Sequence, residues 1–277
     1  MKTNLVIATW SGLRSDGRIE SQDKYFAKDR SVYIRAQIHQ LSTLQHNLDQ
    51  ITIAVPKNTN EPKEFTQFIN KIPCEIKNTP VKIIRRSNVG HSYGSFNSVY
   101  EKYRNQFDFY ILLEDDYVFV LDYFDEILIK IIQRKGGDLL ATDIVPGPYN
   151  IPHAPLTNAM CRTTALEKIY NYFGHLPHGT TPAHKWKNRQ IRKAPFSYSQ
   201  LAFNYAFIEL GLKMIGMRYM TVRWGLKSVE YCCNKPNPDN IIIAPVQLLI
   251  DPINYKHKSF PRDWPKWKPL NPIRMFL

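Results

Sequence analysis

The chain has 277 residues, 43% of them apolar and 22% charged, which suits a globular domain with a substantial core. It contains no run of the roughly 20 apolar residues that a membrane span requires, and its four cysteines, Cys74, Cys161, Cys232 and Cys233, show neither metal-site spacing nor a disulfide framework. The net charge of +13 is lopsided: residues 1–182 carry 21 Lys and Arg against 19 Asp and Glu, whereas residues 183–277 carry 16 against 5, so a polyanionic partner is expected for the C-terminal portion.

Taken in order, the first half alternates strand and helix signals, the pattern of a parallel or mixed sheet with helices on its faces. Residues 4–9 read as a first strand, with an apolar stretch too short for a signal peptide, so a cytoplasmic location is expected. A polar loop over 10–24 follows. Asp29 or Ser31 is placed to cap a helix reaching about residue 47, with Ile34, Ile38, Leu41, Leu44 and Leu48 on one face. Strands are expected at 51–55 and 81–86, with a shorter helix over 61–72 between them. The turn Asn88-Val89-Gly90-His91-Ser92-Tyr93-Gly94 runs into a helix ending near Arg104. Residues 109–113 form the next apolar run. Asp122 is expected to cap a helix through Lys135 that Gly136-Gly137 ends. Strands at 138–145 and 156–162, helices at 164–173 and 199–212, and a strand-like stretch at 213–224 complete the pattern. Residues 234–277 are proline-rich, with Trp264 and Trp267 among basic residues. The expected organisation is one domain over 1–230, divided near 130 into donor-binding and acceptor halves, followed by an irregular basic extension over 231–277.

The feature with most chemistry is Leu112-Leu113-Glu114-Asp115-Asp116-Tyr117-Val118. Three consecutive carboxylates at the tip of a buried strand repel one another and resist desolvation unless a cation or hydrogen-bonding ligand compensates them. Mg²⁺ and Mn²⁺ take oxygen ligands and are commonly shared between one or two carboxylates and substrate phosphates. In open α/β sheets, ligands bind beyond the carboxyl ends of the strands. The loop after the first strand, the glycine turn at 88–97 and the acids all fall there. A helix N-terminus at that turn would offer N–H groups to an anion, and Arg85 and Arg86 add charge.

This layout resembles the GT-A fold of nucleotide-sugar-dependent glycosyltransferases. The resemblance is carried by the 5–9 strand, Ile51-Thr52-Ile53-Ala54-Val55, the 88–97 turn and helix, and Glu114-Asp115-Asp116 in place of a D-x-D-type motif. It implies an α/β mixed sheet with helices on both faces, and a UDP-, GDP- or dTDP-linked sugar donor. Asp116 would bind Mn²⁺ or Mg²⁺, with Glu114 and Asp115 on the ribose or donor sugar and Asp115 also placed at the reacting centre. Thr9, Trp10 and Arg14 would border the nucleotide; Arg86, Asn88, Gly90 and Asn97 would line the donor pocket. His178, with His175 and His184 as alternatives, would complete the metal shell. The helix where such families often carry a general base begins Ser197-Tyr198-Ser199-Gln200, without a carboxylate, so Asp143 is expected to serve. The family's acid after the second strand is replaced by Pro56-Lys57-Asn58.

For the acceptor, Lys185, Trp186, Lys187, Arg189, Arg192 and Lys193 interleave cations with an aromatic ring. Such a segment suits an anionic membrane surface carrying a lipid-linked glycan, which would put the chain at the inner face of the membrane. It also suits DNA, as in phage-type enzymes that glycosylate hydroxymethylated bases. A nucleic-acid-binding or nucleotidyltransferase-like protein using the same acids is the alternative of a different class.

Overall fold

A computed structural model of the chain describes residues 1–12, 30–58, 61–142, 144–146, 152–178, 198–217, 229–231 and 242–246. Its centre is a nine-stranded sheet in the order β12-β11-β7-β10-β5-β1-β2-β4-β3. The strands are β1 (Thr3–Ala8), β2 (Gln50–Pro56), β3 (Glu75–Ile76), β4 (Thr79–Arg86), β5 (Phe109–Glu114), β7 (Leu139–Ala141), β10 (Asn158–Arg162), β11 (Met214–Gly216) and β12 (Val229–Tyr231). All neighbours run parallel except β10, antiparallel to both β5 and β7, and the short edge strand β3. The mixed α/β sheet expected from the sequence is the one observed.

The central strands are buried along nearly their whole length, as strands covered on both faces must be. Alternation then divides their side chains between two cores. Val6, Ala54, Tyr110, Leu112 and Cys161 point to one face, where α3 (His91–Tyr103), α5 (Thr163–Phe173) and α6 (Tyr198–Glu209) cover them. Leu5, Ile7, Ile53, Ile111, Leu113 and Met160 point to the other, under α1 (Ser31–Thr43), α2 (Lys63–Lys71) and α4 (Phe124–Lys135). Helices thus lie on both faces. The chain runs from β1 outward through β2 to β4 and then returns to β5 on the other side of β1, which puts a topological switch point between β1 and β5.

Several local features differ from the sequence expectation. Helix α1 ends at Thr43, earlier than residue 47, because Leu44 is already extended. The chain after it is pinned sideways: Gln45 N–H donates to Asp122 Oδ1 at 2.8 Å and Asn47 N–H to Asp125 Oδ2 at 2.9 Å. Asp122 therefore satisfies a loop from another part of the chain and does not cap α4, whose flanking residue is Tyr123 with no side-chain cap. After the acids, β6 (Tyr117–Phe119) leaves the main sheet and pairs antiparallel with β13 (Ile243–Pro245). Val246 N–H donates to Asp116 O at 2.8 Å and Val120 N–H to Ile242 O at 3.0 Å. Residues 242–246, from the segment expected to be an extension, are built into the core, with Ile242, Ile243 and Val246 buried. The short pair β8 (Val145–Pro146) and β9 (Pro152–His153) lies apart from the main sheet.

Candidate functional site

The three carboxylates arrive where the sheet order predicts a ligand. The parallel register sets Ala8 opposite Glu114, so the next residues, Thr9 and Asp115, emerge side by side at the switch point. Thr9 Oγ1 donates to Asp115 Oδ2 at 2.5 Å, and Trp10 N–H reaches the same oxygen at 3.3 Å. The acidic backbone is fixed on all sides: Asp115 N–H donates to Ala8 O and Glu114 N–H to Thr157 O, while Gln37 Nε2 reaches Glu114 O. With the Val246 contact to Asp116 O, each of the three acids has a main-chain anchor.

A cavity of about 500 Å³ opens here, lined by Ala8, Thr9, Trp10, Arg30, Pro56, Arg86, Asn88, His91, Ser92, Ser95, Glu114, Asp115 and Asp116. The acids are half-buried residues whose carboxyl groups turn inward. Burial is the main force raising all three carboxyls. Asp115 is pushed up to about 7 by burial and by Asp116, against the opposing Thr9 hydroxyl, Arg30 charge and Trp10 N–H. Glu114 is raised by burial and by its acidic neighbours, with Ser92 bonding its carboxylate in opposition. Asp116 is raised by burial, opposed by its own backbone and by Arg30. Asp116 Oδ1 is buried and has no hydrogen-bond partner among the described residues.

That orphaned oxygen tests the expected metal. A buried carboxylate oxygen without a donor, beside two more carboxylates, is a donor set for a hard cation such as Mg²⁺ or Mn²⁺. Among the described residues no three His, Cys, Asp or Glu side chains form a ready-made metal cage. The residues thus fit a cation held by Asp116 and completed by ligand oxygens.

The turn before α3 forms another wall. Gly90 precedes the helix at φ +78, and Gly94 sits so close to the turn that an added Cβ would lie 1.9 Å from Val89 O. The turn is braced from below by Arg86, a buried residue. Arg86 donates to Ser95 Oγ at 2.8 Å, to Ser87 O at 2.6 Å, to Val89 O at 2.8 Å and also to His91 O. Arg86 lines the cavity, but these bonds make it the scaffold of the turn. Asn88 also lines the cavity, and its Nδ2 donates to Asn58 Oδ1 at 2.9 Å, while Asn58 Nδ2 donates to Ser11 Oγ at 3.1 Å. This chain links the loops after β1, β2 and β4. Lys57-Asn58, which stand where an acid was looked for, therefore contribute a neutral amide.

Asn97 is buried in α3, and its Oδ1 accepts Leu176 N–H at 2.8 Å, tying the 174–178 loop to the helix. His178 lies in that loop with its ring 4.8 Å from that of His175. Burial, then His175 and Arg86, push His178 down to about 4, so it is neutral at neutral pH. Neither Asn97 nor His178 shares the cavity wall with the carboxylates. Arg14, Asp143, Lys185, Trp186, Lys187, Arg189, Arg192 and Lys193 lie outside the described residues.

Arg30 and Ser92 reach the cavity without having been picked out in the sequence. For Ser92 the signal was present, since it lies in the first turn of a helix whose N-terminus follows a parallel strand and faces the carboxyl rim.

No protein-family model matches the chain, and no curated protein sequence matches it. Among solved structures it is similar to a fragment of TarS from S. aureus in complex with UDP, with a TM-score of 0.48 and 10% identity over 85% of this chain. The chain spans 59% of the length of that fragment. It is similar also to 4-diphosphocytidyl-2C-methyl-D-erythritol synthase from Anaerococcus prevotii, with a TM-score of 0.43 and 11% identity over 87% of this chain and 89% of the other. At such levels the weight falls on the residues of the cavity itself.

Proposed function

We propose that this chain is a metal-dependent glycosyltransferase that moves a sugar from a nucleoside-diphosphate sugar to a hydroxyl of a polyanionic acceptor. The observation that carries the reading is Asp116 Oδ1, buried without a hydrogen-bond partner among the described residues beside Glu114 and Asp115, at the switch point of an α/β sheet. Asp116 would hold Mn²⁺ or Mg²⁺, with the donor's diphosphate supplying further ligands. When bound, the cation would stabilise the negative charge that develops on the departing nucleoside diphosphate.

The protein's own groups do the rest. The Thr9 hydroxyl and Trp10 N–H orient Asp115 and keep its ionised form accessible. Ser92 fixes Glu114. The braced turn at Arg86 presents Asn88, joined to Asn58 and Ser11, as a neutral hydrogen-bonding wall for the nucleotide. Asp143 is the proposed general base on the acceptor hydroxyl. The basic composition of 183–277 favours an anionic acceptor, and a lipid-linked or envelope glycan is the reading adopted. Among the described residues no helix is long and apolar enough to cross a membrane.

The test is a screen of UDP-, GDP-, dTDP- and CMP-sugars with Mn²⁺, following nucleotide release alone, with anionic lipid-linked glycans and with hydroxymethylated duplex DNA. Release stimulated by the glycan supports the proposal. Release stimulated by DNA alone replaces the acceptor. Transfer of a nucleotidyl group, with pyrophosphate released from a nucleoside triphosphate and a sugar phosphate, would replace the reaction class.

A further inference from the structure

The cavity is lined by two arginines with different duties. Arg86 is tied to the turn that it braces through four hydrogen bonds. Arg30, at the start of α1, acts on the acids, and its charge favours the ionised forms of both Asp115 and Asp116. Its place is built. The guanidinium carbon lies 5.2 Å from the Trp10 ring centroid and 5.5 Å from that of buried Tyr33, contacts that hold a cation against aromatic faces. Its stem crosses Gly12, which has φ +85 and where an added Cβ would come within 3.0 Å of Arg30 Cγ. The indole, the phenol and the bare glycine together keep the guanidinium at the wall it shares with the carboxylates.

Arg30 shares the cavity wall with the carboxylates, so an anion bound among them meets its charge. Once a divalent ion neutralises Asp116, the pull of the acids on Arg30 weakens, and the planar fork of the guanidinium matches phosphate oxygens. We propose that Arg30 reads the phosphate chain of the donor, binding a diphosphate oxygen so that the site takes nucleoside diphosphates in preference to nucleoside monophosphates and nucleosides. This inference rests on the donor reading above. The competing role is that of a counter-ion to Asp115 and Asp116 alone.

Calorimetric titration separates the two. The Mn²⁺-loaded full chain, as wild type, R30Q and R30K, is titrated with UDP, UMP, uridine and inorganic pyrophosphate; Mn²⁺ binding is measured separately. The expected result is that R30Q weakens UDP and pyrophosphate by about 10- to 100-fold, the range of one hydrogen-bonded charge contact. Uridine affinity should be unchanged, and R30K should recover part of the loss. Equal weakening of UDP and uridine, or unaltered UDP and pyrophosphate affinity, would overturn the inference and leave Arg30 as a counter-ion. A wild-type chain that binds neither UDP nor pyrophosphate with Mn²⁺ would overturn the donor reading and this inference with it.

Discussion

Replacing Asp116 with Asn should make the metal-free protein more stable while removing its response to divalent cations. Asp116 Oδ1 is buried without a hydrogen-bond partner among the described residues, next to two other acids, so in the absence of a cation its charge is a liability. Neutralising it relieves desolvation and like-charge repulsion worth roughly 1–3 kcal/mol. For a chain of this length that is a rise in Tm of roughly 2–5 °C. The pH dependence has a definite sign. All three carboxyls are raised in the fold, Asp115 from 3.8 to about 7. Between those values the folded chain holds protons that the unfolded chain has released, so stability falls as pH rises through that window. Asp116 itself is raised from 3.8 to about 6, so the variant should show a flatter decline than the wild type from about pH 4 to pH 6. In wild type, Mn²⁺ at a hundredfold excess over its Kd should return about 2.7 kcal/mol, and in Asp116→Asn almost nothing. Thermal unfolding followed by circular dichroism, in EDTA and in Mn²⁺ across that pH range, reads all of this. A variant that is less stable than wild type in EDTA, or that keeps the full Mn²⁺ gain, would refute the reasoning.

Other perturbations follow from the same geometry. Thr9→Val removes the hydroxyl on Asp115, which should raise that carboxyl further and weaken Mn²⁺-dependent donor binding about tenfold near pH 7; recovery toward pH 8.5 in calorimetry would confirm the cause, and a pH-independent loss would contradict it. Arg86→Lys removes most of the braces from the 87–91 turn while leaving a cation at a buried position, so denaturant unfolding should show a loss of about 3 kcal/mol or more. Gly94→Ala places a methyl against Val89 O and should cost on the order of 1–3 kcal/mol by the same measurement. Replacing Lys185, Lys187, Arg189, Arg192 and Lys193 together with Gln should weaken acceptor binding but spare donor hydrolysis; equal loss of both, by nucleotide-release assay, would place the segment at the donor.

What the sequence disclosed depended on how local the cause was. The strands β1, β2 and β5 were legible because burial on both faces demands unbroken apolar runs, and the acids stood out because such a run ends in them. Residues 117–119 were not legible as a strand, because their partner lies at 243–245 and no local pattern announces so distant a pairing. Asp122 looked like a helix cap because caps are read from adjacent sequence, whereas its hydrogen bond goes to Gln45. Arg86 was legible as a cation near the site, but its four bonds to the turn, which make it a brace, depend on the folded path of 87–95. Arg30 escaped notice because its importance comes from Trp10, Gly12 and Tyr33 closing around it.

The most direct test of the central claim is calorimetry of UDP, GDP and dTDP binding to wild-type protein and to Asp116→Ala, each in Mn²⁺ and in EDTA. The account predicts that at least one nucleotide binds wild type in Mn²⁺, that EDTA weakens this binding at least about tenfold, and that Asp116→Ala in Mn²⁺ behaves as wild type does in EDTA. Binding that ignores both the metal and the substitution, or no binding of any of the three, would contradict it.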